Sequence, residues 1–334
     1  MPSNGRPRCS VTRSPYLFVE WHDDRLHLVN ADSLRKFDVS PGVVAALSSL
    51  NEWTDSDEVA ERLGAEQAAA LVSCGVLEQA QEPATQPPPP WEPSALAVHR
   101  GGGESAGPQR WRGPSPSPFT VIEKGTPTVA LPKPASLEMR LEDALGRRRS
   151  RRDYRNVSMP LHDLSTALFH SARIVEWAAA SANSLFVRHP YASGGGRGEL
   201  EVYAIPLNVE SLLPRCYRYD AFGHCLVEVG AGTSDDPLWS RWIEAATLTR
   251  SYPSLVLVIT AVFYRVMWKY GSMGLPLLYK NCGCLVQTVY LVAEALDMAT
   301  CALSAPPEAE ICESLNIDPL HESVVSGMTL GYPS

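Results

Sequence analysis

The stretch LVLVITAVFYRVMWKYG, residues 255–271, decides how the rest of the chain is read. Leu255–Phe263 is an apolar, β-branched run broken only by Thr260, without the in–out alternation of a half-buried strand. Such a run predicts a strand covered on both faces at the centre of a sheet. It falls well short of the roughly 20 residues that cross a bilayer. After a turn come Trp268-Lys269-Tyr270-Gly271 and then CGCLVQTVYLVAEAL, residues 282–296, a predicted helix apolar around most of its circumference. A helix of that kind belongs in a core or at a subunit interface. Working outward, Glu199–Ile205, Cys301–Leu303 and Val324–Leu330 read as strands and Leu161–His170 as a helix. Leu137–Arg147 reads as a helix capped by Ser136, with leucines at 137, 141 and 145. Residues 136–334 are therefore expected to form an α+β domain.

The N-terminal side is patterned differently. YLFVEW (16–21) and RLHLVN (25–30), separated by His22-Asp23-Asp24, predict a hairpin. Ser40-Pro41 is an N-cap followed by a first-turn proline, opening a helix through Leu50. Thr54 or Ser56 caps a second helix through Leu63, Ala65–Ser73 forms a third ended by Gly75, and Val76–Glu78 returns as a strand. A hairpin with three short helices resembles a winged-helix domain, expected over residues 1–80. Its isolated histidines and helix-start acids suit binding better than catalysis. Between the two, residues 81–135 hold 13 of the chain's 28 prolines, including Pro87–Pro90 and PSPSP at 114–118, and also Gly101–Gly103. Proline at that density precludes a continuous helix or paired strand and predicts a linker. Trp91, Trp111, Phe119 and Val121 would anchor parts of it, extended, along a folded surface.

Composition narrows the function. With 334 residues, 45% hydrophobic and 20% charged, the chain is an ordinary globular sequence of about two domains. A net charge of -8 argues against a general nucleic-acid binder. The eight cysteines include no CxxC pair and lie partly in apolar runs, and residues 1–16 carry no apolar signal core. Reduced thiols in a cytoplasmic protein, with no membrane association, are the expectation. Cys282-Gly283-Cys284 places its thiols on different helix faces, so no metal site is expected. The sequence lacks GxSxG, GxxxxGK[ST], and GxGxxG after a strand, which argues against serine hydrolases, P-loop enzymes and Rossmann dinucleotide sites.

Three clusters could carry chemistry. GRRRSRRDY, 146–154, sets five arginines around Ser150. Guanidinium forks and a hydroxyl suit a phosphate, although a solvated basic helix end has the same composition. In HPYASGGGRGELEVY, 189–203, three consecutive glycines let backbone approach an anion or flat ring; a mobile hairpin would read the same way. Lys269-Tyr270 beside an apolar strand can serve proton transfer, or can be a solvated lysine next to a packed tyrosine.

In order along the chain, RRRSRRDY, the Ser-Gly-Gly loop before LEVY, WKYG and the long apolar helix resemble the nitroreductase superfamily. More closely they resemble the SagB-type thiazoline/oxazoline dehydrogenases of azole peptide biosynthesis. LPRCYRYDAFGHCLVEV (213–229) and VVSGMTLGYP (324–333) extend the resemblance over residues 137–331. It implies a central mixed sheet with surrounding helices in an intertwined homodimer, with FMN at the dimer interface. Arg148, Ser150 and Arg152 match positions that hold the flavin phosphate and ribityl chain. Ser193, Gly194 and Gly195 match a loop that reaches FMN from the partner subunit. Ser304-Ala305 falls where a backbone amide faces flavin N5, and Lys269 and Tyr270 match the catalytic pair of the azole-forming oxidases. Ala192 replaces a usual proline, Ser304-Ala305 a frequent Gly-Gly, and Lys280-Asn281 the common acidic or small residues. The sequence ends at Ser334 without the basic tail of ordinary nitroreductases.

The sequence thus predicts an FMN-dependent dehydrogenase that oxidises azolines to azoles on a ribosomal precursor peptide. Residues 1–80 would bind a leader by strand addition near Arg25–Asn30, and the resemblance implies a cyclodehydratase partner. An NAD(P)H-dependent nitro- or ene-reductase of small molecules and a non-catalytic peptide-binding scaffold are the alternatives.

Overall fold

The computed structural model describes residues 10–22, 24–50, 52–79, 92–101, 115–181 and 184–334. Pro87–Pro90, Trp91, Gly102, Gly103 and Trp111 lie outside the described residues. The chain divides into two compact units, Met1–Ser105 and Ala106–Ser334.

The first unit contains β1 (Ser10–Arg13), β2 (Leu17–His22), β3 (Arg25–Asn30), β4 (Arg35–Asp38), α1 (Pro41–Ser48), β5 (Thr54–Asp55), α2 (Ser56–Leu63), α3 (Ala65–Ser73), β6 (Leu77–Gln79) and α4 (Pro93–Gly101). Two antiparallel three-stranded sheets, β5-β1-β6 and β2-β3-β4, enclose a core of Val11, Leu28, Leu47, Leu50, Val59, Leu71 and Val76. Each such side chain withdrawn from water contributes about 1.5–3 kcal/mol. Ser40 caps α1 through the Val43 N–H, with Pro41 in the first turn. Asp55, rather than Thr54 or Ser56, caps α2, because its carboxylate accepts from the Asp57 N–H. Strand addition along Arg25–Asn30 is closed: β3 is the middle strand of its sheet, and β2 and β4 are the edges. Inside the expected linker, Pro93 opens α4, where a missing N–H is tolerated.

The second unit contains β7 (Thr128–Ala130), α5 (Leu141–Arg147), β8 (Tyr154–Arg155), α6 (Leu161–Ala172), β9 (Glu176–Ser181), β10 (Ser184–Arg188), β11 (Leu200–Pro206), β12 (Cys216–Asp220), β13 (Cys225–Val229), α7 (Pro237–Thr247), β14 (Leu255–Val262), α8 (Phe263–Tyr270), α9 (Gly274–Ala295), β15 (Ala299–Leu303), α10 (Glu308–Leu315) and β16 (Glu322–Pro333). The central sheet runs β15-β16-β14-β11-β12-β13-β7, with β8 added to β16. Every strand pair in it is antiparallel, so the sheet is not mixed. A loop over residues 207–215 joins β11 to β12 and a short turn over 221–224 joins β12 to β13; α7 then carries the chain back so that β14 enters against both β11 and β16.

The period of two along β14 sends Leu255, Leu257, Ile259 and Ala261 to one face and Val256 and Val258 to the other. The first face packs on Leu164 and Leu168 of α6 and on Leu278, Leu285 and Val289 of α9. The second packs on Trp239, Trp242 and Ile243 of α7 and on Ile311 and Leu315 of α10. Helices thus cover both sides of the strand, as its unbroken apolar run requires.

Three element boundaries differ from expectation. Helix α5 starts at Leu141, not Leu137, because Ser136 turns its hydroxyl to Glu138 instead of capping. The four-residue leucine spacing makes no buried stripe: Leu141 and Leu145 are 65% and 54% exposed. Trp268, Lys269 and Tyr270 lie in helix α8, which follows β14 directly, and α9 already begins at Gly274. Pro276 is no obstacle there because it falls in the first turn.

Candidate functional site

Helix α9 organises the candidate site, because two groups of predicted residues gather on separate parts of it. The first group is the glycine loop with Tyr270. Tyr270 ends α8, and its hydroxyl lies so close to the loop that a Cβ on Gly195 would stand 2.1 Å from it. Gly195 has φ +81°, where side-chain-bearing residues are strained, so glycine is required twice over. A Cβ on Gly194 would likewise meet Leu277 of α9 at 2.5 Å. Lys269 is exposed, and its ammonium sits 5.2 Å from the centre of the Tyr270 ring. Ser193, Gly194, Gly195, Lys269 and Tyr270 are therefore brought together.

Asn281 of α9 holds this loop. Its Oδ1 accepts the Gly194 N–H at 3.0 Å, and its Nδ2 donates to Glu199 Oε1. The Gly194 amide is thus spent inward and is not free for a ligand. Glu199 is 1% exposed and its other oxygen, Oε2, has no partner. Burial raises its carboxyl pKa, against the opposing hydrogen bond from Asn281. Ser193 Oγ is also buried without a partner.

The second group is the arginine segment that follows α5. The Arg148 guanidinium lies 5.2 Å from the Tyr290 ring centre, and Ser150 Oγ is 2.9 Å from the Tyr290 hydroxyl. That hydroxyl also accepts the Ala302 N–H of β15 at 2.8 Å. Arg151 and Arg147 turn instead to Glu294, at 3.2 and 3.7 Å, and Arg147 also reaches Asp297 at 2.6 Å. Among the described residues, Arg148, Arg149 and Arg152 form no ion pair with a carboxylate. Arg148 and Ser150 thus face Tyr290, while Arg147, at the end of α5, and Arg151 face Glu294.

Ser304 and Ala305 lie just beyond Ala302. The Trp242 indole N–H donates to the Ser304 carbonyl at 2.9 Å. In a trans peptide the C=O and N–H point in opposite directions. The Ala305 N–H, in that same peptide unit, therefore faces away from the buried indole toward the exposed side. Ala305 has φ +46°, the left-handed region that glycine enters freely. The two groups lean on different turns of α9. Asn281 and Tyr290 are nine residues apart on α9, about 14 Å along the helix axis.

Asn281, Tyr290, Trp242 and the buried Arg197 and Arg265 were not singled out by residue type. Asn281 did carry a signal, as a polar residue at the head of an apolar helix. Arg197, directly after the three glycines, carried another.

The donors fit FMN. Free guanidinium groups and the Ser150 hydroxyl suit its phosphate, and Ser193 Oγ, buried without a partner, is a further polar group beside the glycine loop. An antiparallel sheet layered between helices, with a basic segment and a glycine loop on one long helix, defines an oxidoreductase domain of flavin type. The chain belongs to the nitroreductase family, whose model, described as "Nitroreductase family", matches residues 145–332. A nitroreductase homologue of Methanocaldococcus jannaschii is 29% identical over 195 residues, covering 57% of this chain and 91% of that protein. The structure of a nitroreductase homologue from Anabaena variabilis is 19% identical with a TM-score of 0.55, covering 75% of this chain and 49% of the other. One from Ralstonia eutropha is also 19% identical, with a TM-score of 0.49, covering 68% of this chain and 98% of the other. Among the described residues, no helix is long and apolar enough to cross a membrane.

Proposed function

We propose that this nitroreductase-family protein is an FMN-dependent azoline dehydrogenase acting in the cytoplasm on a ribosomally made peptide. The observation that carries the reading is the packing of Tyr270, with Lys269 beside it, against the glycine loop. This is the Lys-Tyr pair by which the sequence resembles the SagB-type enzymes, and it sits next to backbone that suits a flat ring. Arg148, Ser150 and Arg152 would hold the FMN phosphate and ribityl chain, with the Ala305 N–H directed at the flavin ring.

When bound, FMN supplies the hydride acceptor. Aromatising an azoline removes one hydride and one proton from adjacent ring atoms. The Tyr270 oxygen or the Lys269 nitrogen takes the proton, and the other group orients the ring. The glycine loop sets the approach of the substrate ring to Tyr270.

Because the two groups are separated along α9 in one chain, we read the site as completed by a second copy, each contributing one group. The exposed Leu141 and Leu145, beside the arginine segment, support such an interface. We assign leader recognition to the first unit, at an edge strand, β2, where a groove of about 120 Å³ is lined by Leu17, Val19, Leu28, Val44 and Leu47. A cyclodehydratase partner would supply the azoline.

The test is to load the protein with FMN, add an azoline-bearing peptide and weigh the product. Loss of about 2 Da per ring supports the reading. Rapid bleaching of the flavin by NAD(P)H with no change in the peptide would favour a small-molecule reductase. A colourless protein that does not respond to FMN would favour a binding scaffold.

A further inference from the structure

Two buried arginines join the glycine loop to helix α8, and both lean on the proline-rich segment that precedes the family-matched region. Arg197 follows the three glycines and is 2% exposed. Its Nε donates to the Arg265 carbonyl at 3.3 Å, and its guanidinium lies 5.1 Å from the Trp268 ring centre. Arg265, in the first turn of α8, reaches back. Its Nη1 donates to the Gly198 carbonyl at 2.6 Å and to Glu201 Oε1 at 2.7 Å. The loop's arginine thus holds the helix backbone, and the helix's arginine holds the loop backbone. Between these braces lies the contact of Gly195 with Tyr270.

Neither arginine is satisfied by the loop and helix alone. Arg197 Nη2 donates to Ser115 Oγ at 2.8 Å and to the Pro116 carbonyl at 2.9 Å. Arg265 Nη2 donates to Thr120 Oγ1 at 2.8 Å, and that hydroxyl donates onward to Glu201 Oε1 at 2.7 Å. The segment also packs directly on the loop: a Cβ on Gly198, at φ +59°, would stand 2.1 Å from the Pro118 carbonyl oxygen. The family match begins only at residue 145, so these partners lie outside it.

We propose that Ser115–Thr120 is a strap that sets the geometry of the site: by completing the hydrogen bonding of Arg197 and Arg265, it fixes the glycine loop against α8 and so positions Tyr270. Thr120, Ser115, Arg197 and Arg265 are positioning residues. The catalytic consequence rests on the dehydrogenase reading; the mechanical one does not.

The experiment uses the full chain with Thr120→Val, which keeps the shape and removes the hydroxyl, and Thr120→Ser, which keeps the hydroxyl. Amide hydrogen exchange over residues 193–198 is measured without FMN, and then kcat and KM for azoline oxidation are measured with it. The strap predicts at least about ten-fold faster exchange in Thr120→Val, near wild-type exchange in Thr120→Ser, and a fall of similar size in kcat with KM little changed. Arg197→Lys, which shortens the reach to Ser115 and Pro116, should speed the same exchange should Thr120→Val not fold. Equal exchange in wild type and a folded Thr120→Val would overturn the strap. Faster exchange in Thr120→Val than in wild type, with no azoline oxidised by the wild type, would retain the strap and overturn the dehydrogenase reading.

Discussion

The Tyr270 hydroxyl rests against the α-carbon of Gly195, close enough that any side chain there would displace it. One contact therefore ties the residue expected to move a proton to the loop expected to meet the flavin.

Gly195→Ala should break this relationship. The methyl group would overlap the phenol, and φ +81° adds backbone strain of about 1 kcal/mol or more. We expect azoline oxidation to fall by two or more orders of magnitude while the arginine segment, on a different part of α9, still binds FMN. Turnover and flavin content measured on the same preparation check this.

The arginines should separate by role. If Arg148 and Arg152 hold the FMN phosphate as proposed, Arg148→Ala and Arg152→Ala should each cost about 1.5–3 kcal/mol, or roughly ten- to hundred-fold in FMN affinity. Arg151→Ala instead removes a partner of Glu294, which is 1% exposed. It should lower thermal stability by about 1–2 kcal/mol and leave FMN affinity within a few-fold. Flavin fluorescence titration and thermal melts distinguish the two outcomes.

Trp242→Phe should free the peptide between Ser304 and Ala305 by removing the indole donor. If the Ala305 amide faces the flavin ring, FMN still binds but its reduction potential shifts. A tenfold change in the ratio of reduced to oxidised flavin corresponds to about 30 mV for two electrons. A redox titration against reference dyes measures it. The same substitution leaves a gap beside Gly327 and should lower stability by about 1–3 kcal/mol.

Much of this was legible in the residues. Leu255–Phe263 had to be covered on both faces, and its strand, which stops at Val262, is; Ser40-Pro41 had to open a helix, and it does. The arginine and glycine clusters could each be named, because their composition is local. What could not be read was which arginine meets which partner. Arg151 and Ser150 are neighbours in sequence, yet one faces Glu294 and the other Tyr290, both fixed by α9 more than a hundred residues later. Asn281 looked like a departure from the family pattern until the fold set it against Gly194. The proline-rich stretch read as a spacer, and composition alone could not show that Ser115 and Thr120 meet buried arginines.

Stability should decline in mild acid. His189 is buried, its Nδ1 bonds the Ala172 and Arg173 carbonyls, and its Nε2 has no partner. Burial, the largest cause, lowers its pKa below the usual 6.5. The neutral ring is therefore the folded form. Its contribution is fully present above pH 6.5 and is lost as pH falls through the lowered value. His224, also lowered by burial, acts in the same direction. The melting temperature should drop as pH falls below 6.5, and His189→Gln, which cannot titrate, should flatten part of that slope.

The measurement that bears most directly on the central claim is the mass of an azoline-bearing peptide after incubation with the FMN-loaded protein, run beside Lys269→Ala and Tyr270→Phe. An azoline dehydrogenase would give a loss of about 2 Da per ring with the wild type, and no loss with either variant although both remain yellow. An unchanged peptide with a fully flavin-loaded wild type, or azole formation by both variants at the wild-type rate, would contradict it.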